Sequence, residues 1–206
     1  MIPDIQTAEA ALELAGRLNP GPWEAHSRNV GVAARNIAAK VPGMDPERAY
    51  IFGLLHDIGR RVGVVDIPTH VIEGYRFCMA QGWDEAARIC MTHSWPLGAA
   101  ELSGEPATQA EIRAYLSALT YDDDDRLIML CDSLAADYGF CILERRFVDV
   151  ARRYGVWPNT VARWNETFRV KEDFERRMGC SVYDVLPDIG RTTLLSPPPW
   201  KPPARP

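Results

Sequence analysis

Ala49-Tyr-Ile-Phe-Gly-Leu-Leu-His-Asp-Ile-Gly-Arg60 sets two side chains of metal-binding type, His56 and Asp57, inside a run dominated by Ile51, Phe52, Leu54, Leu55 and Ile58. Such surroundings imply burial of both. A buried carboxylate without a partner changes its protonation state rather than stay charged, so the pair calls for a cation, a base or a hydrogen-bond network. Gly59 reads as the helix stop, in the left-handed conformation that costs glycine little. His56 and Asp57 then fall in the last helical turn, where the carbonyl end of the helix favours a cation.

Outward from this stretch the pattern is helical. Thr7 reads as the cap of a helix from Ala8 to about Leu18, and Pro22 opens a longer one to about Val41. On the second helix His26 shares one face with Val30, Ala33, Ile37 and Val41, so His26 points inward. Asp45-Pro46 starts the helix that carries His56. His70 lies near the start of the next helix, on a face with Gly74 and Phe77. Asp84 reads as the cap of another, which ends at His93. Ser94 to Thr108 loses periodicity and gathers Gly and Pro, a long loop able to fold over a site with Trp95 in it.

Helices follow near 109–119, 123–138, 144–154 and 159–178. The acidic run Asp122 to Asp125 suits a helix start, and Gly179 a helix stop. Asp132 is a second carboxylate in a greasy setting, among Leu127, Ile128, Leu130, Cys131, Ala135 and Ala136. Seven of the sixteen prolines lie between Pro187 and Pro206. Pro197-Pro-Pro-Trp-Lys-Pro-Pro favours an extended conformation, either a plain tail or a ligand for a proline-reading domain.

The expected architecture is all-α, one compact helical domain with a Pro-rich C-terminal tail. Its segments are an N-terminal helix (1–21), a metal-binding core (22–138), helices packed on that core (139–186) and the extended tail (187–206). The 206 residues suffice for one substantial core, and a net charge of −5 gives no electrostatic case for duplex nucleic acid or an anionic membrane. No apolar run reaches a membrane span, and Met1-Ile-Pro-Asp lacks the marks of a signal peptide, so the protein is expected in the cytoplasm. Five widely spaced cysteines with no Cys-x-x-Cys pair read as small core residues in a reducing compartment.

His26, His56, Asp57 and Asp132 each interrupt an apolar stretch on three expected helices. Imidazole with carboxylate is a ligand set for zinc, iron, manganese or nickel. Each histidine alone reads more readily as an ordinary core or surface residue than as a ligand, and the ordered set is the stronger argument. All four histidines fall between residues 26 and 93.

The order His26, Leu-Leu-His56-Asp57-Ile-Gly, His70-Val-Ile-Glu-Gly, Thr-His93 and Leu-Cys-Asp132-Ser-Leu-Ala resembles the HD-domain superfamily of metal-dependent phosphohydrolases, over roughly residues 22 to 138. The resemblance implies that His26, His56, Asp57 and Asp132 hold a divalent transition metal (Fe, Mn, Zn, Ni or Co), with Asp57 able to bridge to a second ion on His70 and His93. It further implies hydrolysis of a nucleotide or other small phosphorylated metabolite by an activated water, with Asp57 and Arg60 catalytic. Arg60 stands where many relatives have lysine. With Arg61 it offers cations for the substrate phosphate, and a salt bridge at the helix end is an equal reading. Arg76 and Arg88 are further cations for the entrance. Two alternatives stay open: a di-iron oxygenase of the same superfamily, and a non-catalytic ligand-binding or regulatory module.

Overall fold

The computed structural model describes residues 1–102 and 107–194, and the Pro-rich stretch from 195 onward lies outside the described residues. Ten α-helices carry the described chain: α1 (Ile5–Leu18), α2 (Pro22–Ala38), α3 (Pro46–Leu55), α4 (Ile67–Ala80), α5 (Asp84–Thr92), α6 (Ala107–Ser117), α7 (Asp123–Leu134), α8 (Leu143–Tyr154), α9 (Thr160–Met178) and α10 (Ile189–Leu194). Shorter 3-10 turns cover Ile58–Val62, Gly98–Glu101 and Val182–Val185. The fold is all-α, as the periodicity implies.

Local chemistry sets the helix ends. Asp45 accepts from the Glu47 and Arg48 amides at 2.9 and 3.3 Å, with Pro46 fixing the first turn of α3. Asp122 and Asp125 form a reciprocal capping box at the start of α7, the structural role expected of the acidic run. Gly179 ends α9 in the left-handed region at φ 72°. At α1 the cap is Asp4 in place of Thr7: its carboxylate accepts from the Thr7 amide at 2.7 Å, and the helix starts earlier, at Ile5. α5 likewise takes Trp83 as its cap residue, with Asp84 the first helical residue.

The main core lies among α1, α2, α3 and α7, with Leu12, Val30, Ile37, Phe52, Leu54, Leu55, Leu127 and Leu130 fully buried. α2 and α3 meet backbone to backbone at Gly31 and Gly53, where a Cβ on Gly53 would lie 2.4 Å from the Gly31 Cα. This close approach draws the end of α3, with His56, against the face of α2 that carries His26. A second, smaller core gathers Val71, Ile72, Met91, Leu102, Ile112 and Leu116 around Trp95.

Gly59 differs from its expected role. It is absent from the positive-φ residues, and the chain runs straight from α3 into the 3-10 turn. What requires glycine is contact: a Cβ would sit 1.9 Å from the His70 carbonyl oxygen and 2.4 Å from the Gly74 nitrogen. α4 therefore rests directly on the turn that follows Asp57. α7 also ends sooner than its apolar run suggests. After Leu134 the chain pairs Ala135–Ala136 antiparallel with Gly139–Phe140, and Asn29 of α2 donates to the Ala136 carbonyl at 2.7 Å. α8 and α9 then fold back on α7, where Arg177 meets Asp123 at 2.5 Å. The segment expected to be extended from Pro187 instead begins with α10, which docks on the hairpin through Thr192 and the Phe140 carbonyl.

Candidate metal centre

Six elements bring the six expected ligands together. His26 projects from α2, His56 caps the end of α3, Asp57 opens the 3-10 turn, His70 sits in the first turn of α4, His93 caps α5 and Asp132 lies on α7. Edge-on imidazole contacts link them, with ring centroids 5.4 Å apart for His26 and His56 and 4.9 Å for His56 and His93. His56, Asp57, His70 and His93 are at most 4 % exposed, so water does little to solvate them.

Backbone carbonyls orient three of the four rings. The His56 Nδ1 lies 2.7 Å from the Gly53 carbonyl, the His70 Nδ1 3.2 Å from that of Asp66, and the His93 Nδ1 3.0 Å from that of Cys90. A carbonyl only accepts, so each Nδ1 carries the hydrogen and each Nε2 presents a lone pair to the interior. Burial pushes the His56 imidazole down to about 4, keeping it neutral near pH 7, and burial lowers His70 in the same direction.

The lone pairs then face one another. The Nε2 atoms of His70 and His93 are 3.4 Å apart, and the Asp57 Oδ1 lies 3.1 Å from the first and 3.5 Å from the second. Neighbouring acceptors in a weakly polar interior repel unless a cation or proton lies between them. The His56 Nε2 has no hydrogen-bond partner at all among the described residues. Two groups have ligand atoms within 4.8 Å of one another: His26 with His56 and Asp57, and Asp57 with His70 and His93. Asp57 belongs to both, so the set fits one metal ion, or two sharing that carboxylate.

Asp132 is placed differently from the other five. It accepts from the His26 Nε2 at 2.9 Å, is 31 % exposed toward the cavity, and is in neither triad. Burial alone would raise its carboxyl, but the His26 bond and the surrounding imidazoles outweigh this and hold it well below the ordinary range. The same balance acts on Asp57, where burial would raise the carboxyl and the opposing interactions, the Arg60 charge the largest, hold it well below its ordinary range. The Arg60 Nε donates to the Asp57 Oδ2 at 2.5 Å.

The cluster forms the floor of a cavity of about 1100 Å³. Arg60 lines it, while Arg61 turns away to cover the Phe77 ring at 4.8 Å. Arg88 is taken up by Asp125 and the Thr120 carbonyl, and Arg76 by Glu73 and Glu111, so neither reaches the entrance. Trp95 is buried in the second core, where apolar packing outcompetes a role as cover; its neighbours Ser94 and Pro96 line the cavity instead. The Ser94 Oγ lies 2.9 Å from the His93 Nε2 and serves that lone pair as a donor. The far wall comes from α8, α9 and the connection between them, including Arg146, Phe147, Arg153, Trp157, Arg163 and Trp164. The sequence reading passed over this wall. Its one available signal was the unusual density of arginine on α8, at 145, 146, 152 and 153.

Residues 8–104 match the HDOD domain. HDOD is an HD-like family, related to and distinct from the HD domain, so the resemblance read from the motifs holds at that broader level. The HDOD match takes in His26, His56, Asp57, His70 and His93 and stops before Asp132, α8 and α9. No curated protein and no solved structure matches the chain. Among the described residues, no helix is long and apolar enough to cross a membrane.

Proposed function

We propose that the protein is a metal-dependent phosphohydrolase acting on a nucleotide or another small phosphorylated metabolite. The observation that carries this reading is the convergence of acceptor-only imidazole nitrogens on the shared carboxylate of Asp57, beneath an open cavity with Arg60 at its edge. His56, Asp57, His70 and His93, with His26, would hold one or two divalent transition ions, among iron, manganese, zinc, nickel and cobalt. Such an ion supplies an acidified water and polarises a phosphoryl oxygen.

The chain's own residues do the rest. The Gly53, Asp66 and Cys90 carbonyls hold the rings of His56, His70 and His93 in the tautomer that offers Nε2, so these rings need not change tautomer on binding. Arg60, one third exposed, has a guanidinium anchored on Asp57 and directed along the cavity edge, where it would offset charge on non-bridging phosphoryl oxygens. Asp132, bonded to His26 at the cavity wall, would fix the orientation of that ring beside the ion. Five cysteines without a disulfide among them, four of them buried, support the cytoplasmic setting expected from the sequence.

The HDOD match favours a second reading, because domains of that kind are often non-catalytic signalling modules. One experiment separates the two. Protein loaded in turn with each metal is incubated anaerobically with a panel of nucleotides and sugar phosphates, and inorganic phosphate is measured. Release that disappears in Asp57→Asn is the expected result. Saturable binding of a panel member without release would favour the module. Dioxygen consumption by iron-loaded protein, with no phosphate released anaerobically, would overturn the hydrolase in favour of an oxygenase.

A further inference from the structure

The cavity is far larger than a phosphoryl group requires. At about 1100 Å³ it exceeds the range of roughly 300–1,000 Å³ common for small-ligand sites, and the His/Asp cluster occupies only its floor. The opposite wall, α8 with the start of α9, lies wholly outside the HDOD match. Whatever it recognises belongs to this chain and not to the matched domain.

Two properties mark that wall. The first is surplus positive charge. Asp149 is its one carboxylate, held by Arg153 at 2.9 Å and only loosely by Arg146 at 3.6 Å, while Arg152 has no partner among the described residues. One carboxylate against three arginines leaves the wall net positive, a charge that a ligand phosphate would offset. Elsewhere in the cavity the arginines are engaged, Arg60 by Asp57 at 2.5 Å and Arg163 by Glu101 at 2.8 Å. The second property is flat aromatic surface. Phe147 and Trp164 stack with centroids 5.4 Å apart and planes 5° from parallel, and Trp157, 47 % exposed, lines the same cavity.

We infer that the α8–α9 wall binds the distal part of the substrate, a flat aromatic ring against Trp157 and Trp164 and a second phosphate on Arg146 and Arg153. The ligand class is a nucleotide bearing two separate phosphate groups, one delivered to the His/Asp floor and one held at the wall. This rests on the reading of the cavity as a phosphoester site, but recognition by the wall requires no hydrolysis.

The test is therefore a binding measurement, made by calorimetry on protein loaded with a divalent metal that gives no phosphate release, with phosphate release followed separately on protein loaded with each of the other metals. The probes are ribose 5-phosphate, adenosine 5′-monophosphate and adenosine 3′,5′-bisphosphate. The bisphosphate is expected to bind at least about tenfold more tightly than the monophosphate, from one added charge-assisted contact. Arg146→Ala/Arg153→Ala should abolish that gap while leaving the monophosphate within about threefold. Trp157→Ala should weaken both adenosine ligands and not the sugar phosphate. Arg146→Lys/Arg153→Lys, which keeps the charge, should restore part of the gap, and Arg76→Ala, outside the cavity, should change nothing. Equal affinity for mono- and bisphosphate, a gap that survives the double alanine variant, or no binding by any probe would overturn the inference. If no phosphate is released but the arginine-dependent gap persists, the wall stands and the hydrolase reading falls.

Discussion

The Nε2 atoms of His70 and His93 approach to 3.4 Å while both Nδ1 atoms are committed to backbone carbonyls, so two lone pairs face each other across Asp57. Without a cation this arrangement is repulsive; with one it is a ligand set. His70→Ala and His93→Ala are each expected to remove one equivalent of bound metal and to leave the ion on His26, His56 and Asp57. The affinity loss should exceed the roughly 10–100-fold typical of outer partners. Elemental analysis with calorimetric titration reads this directly, and unchanged stoichiometry in both variants would remove the second site.

Metal binding to a preformed site also feeds into folding. An ion held only by the native state stabilises by about 2.7 kcal/mol at one hundred times its dissociation constant, on the order of 5–10 °C in Tm for a domain of this size. A chelator should lower Tm by that amount in wild type and leave Asp57→Asn, which lacks the carboxylate shared by both triads, unmoved. Differential scanning calorimetry with and without chelator decides it.

Gly59 ties the site to the fold. Its missing Cβ is what lets the His70 carbonyl and the Gly74 amide rest on the turn after Asp57. Gly59→Ala is expected to cost about 3 kcal/mol or more, since backbone and not a flexible side chain must move. Displacing α4 should also weaken the metal bound by His70. Gly190→Ala, in open space on α10 at an ordinary φ, should stay within about 0.5 kcal/mol. Urea denaturation of the two variants compares them, and equal midpoints would show that α4 adapts freely.

These residues mark how far the sequence could be read. His26, His56, Asp57, His70, His93 and Asp132 stood out because polar side chains on apolar helix faces have few structural explanations, and helical period alone indicates which way they point. Gly59 was legible as important but not for the right reason, because close approach between helices is a tertiary fact with no local signature. Trp95 was legible only as a loop aromatic, since its core partners Ile112 and Leu116 arrive from a helix further along the chain. The α8–α9 wall escaped altogether. Arginines on an amphipathic helix read as a solvated face until the fold turns that face toward a cavity, and nothing in residues 143–164 records the turn.

Glu101 predicts a pH dependence of stability. Its side chain is 1 % exposed and meets Arg163 at 2.8 Å, with Tyr121 as a further titratable group acting on it. Burial outweighs Arg163 and the Leu97 amide and raises its carboxyl from 4.5 to about 7. The folded state then keeps a proton that the unfolded chain releases. Its contribution is fully present below about pH 4.5 and is lost as pH rises through about 7. Over that window Glu101→Gln should gain stability relative to wild type, by at most about 3 kcal/mol. Chemical denaturation at half-unit steps from pH 4.5 to 7.5 measures the difference. A gain for wild type with rising pH would mean that the Arg163 ion pair dominates instead.

Arg60 carries the sharpest expectation, because it plays opposite parts in the metal-free and metal-bound protein. Without metal, Arg60 is the strongest charge compensating Asp57, donating to Oδ2 at 2.5 Å. Replacing it by glutamine leaves a buried carboxylate with weaker partners, expected to cost about 1–3 kcal/mol, below the full penalty for a buried pair because Arg60 itself is one third exposed. With metal, the same guanidinium competes for the carboxylate that must serve the ion. Arg60→Gln should therefore bind metal more tightly than wild type while its metal-free form melts lower, and the metal-induced rise in Tm should be larger. Phosphate release should fall at the same time, since the substrate oxygens lose their donor, and Arg60→Lys should recover part of the rate without the bidentate geometry. Calorimetric titration, thermal melts and phosphate release on the three proteins test the whole set. Weaker metal binding in Arg60→Gln would show that Arg60 positions Asp57 for the ion and does not compete with it.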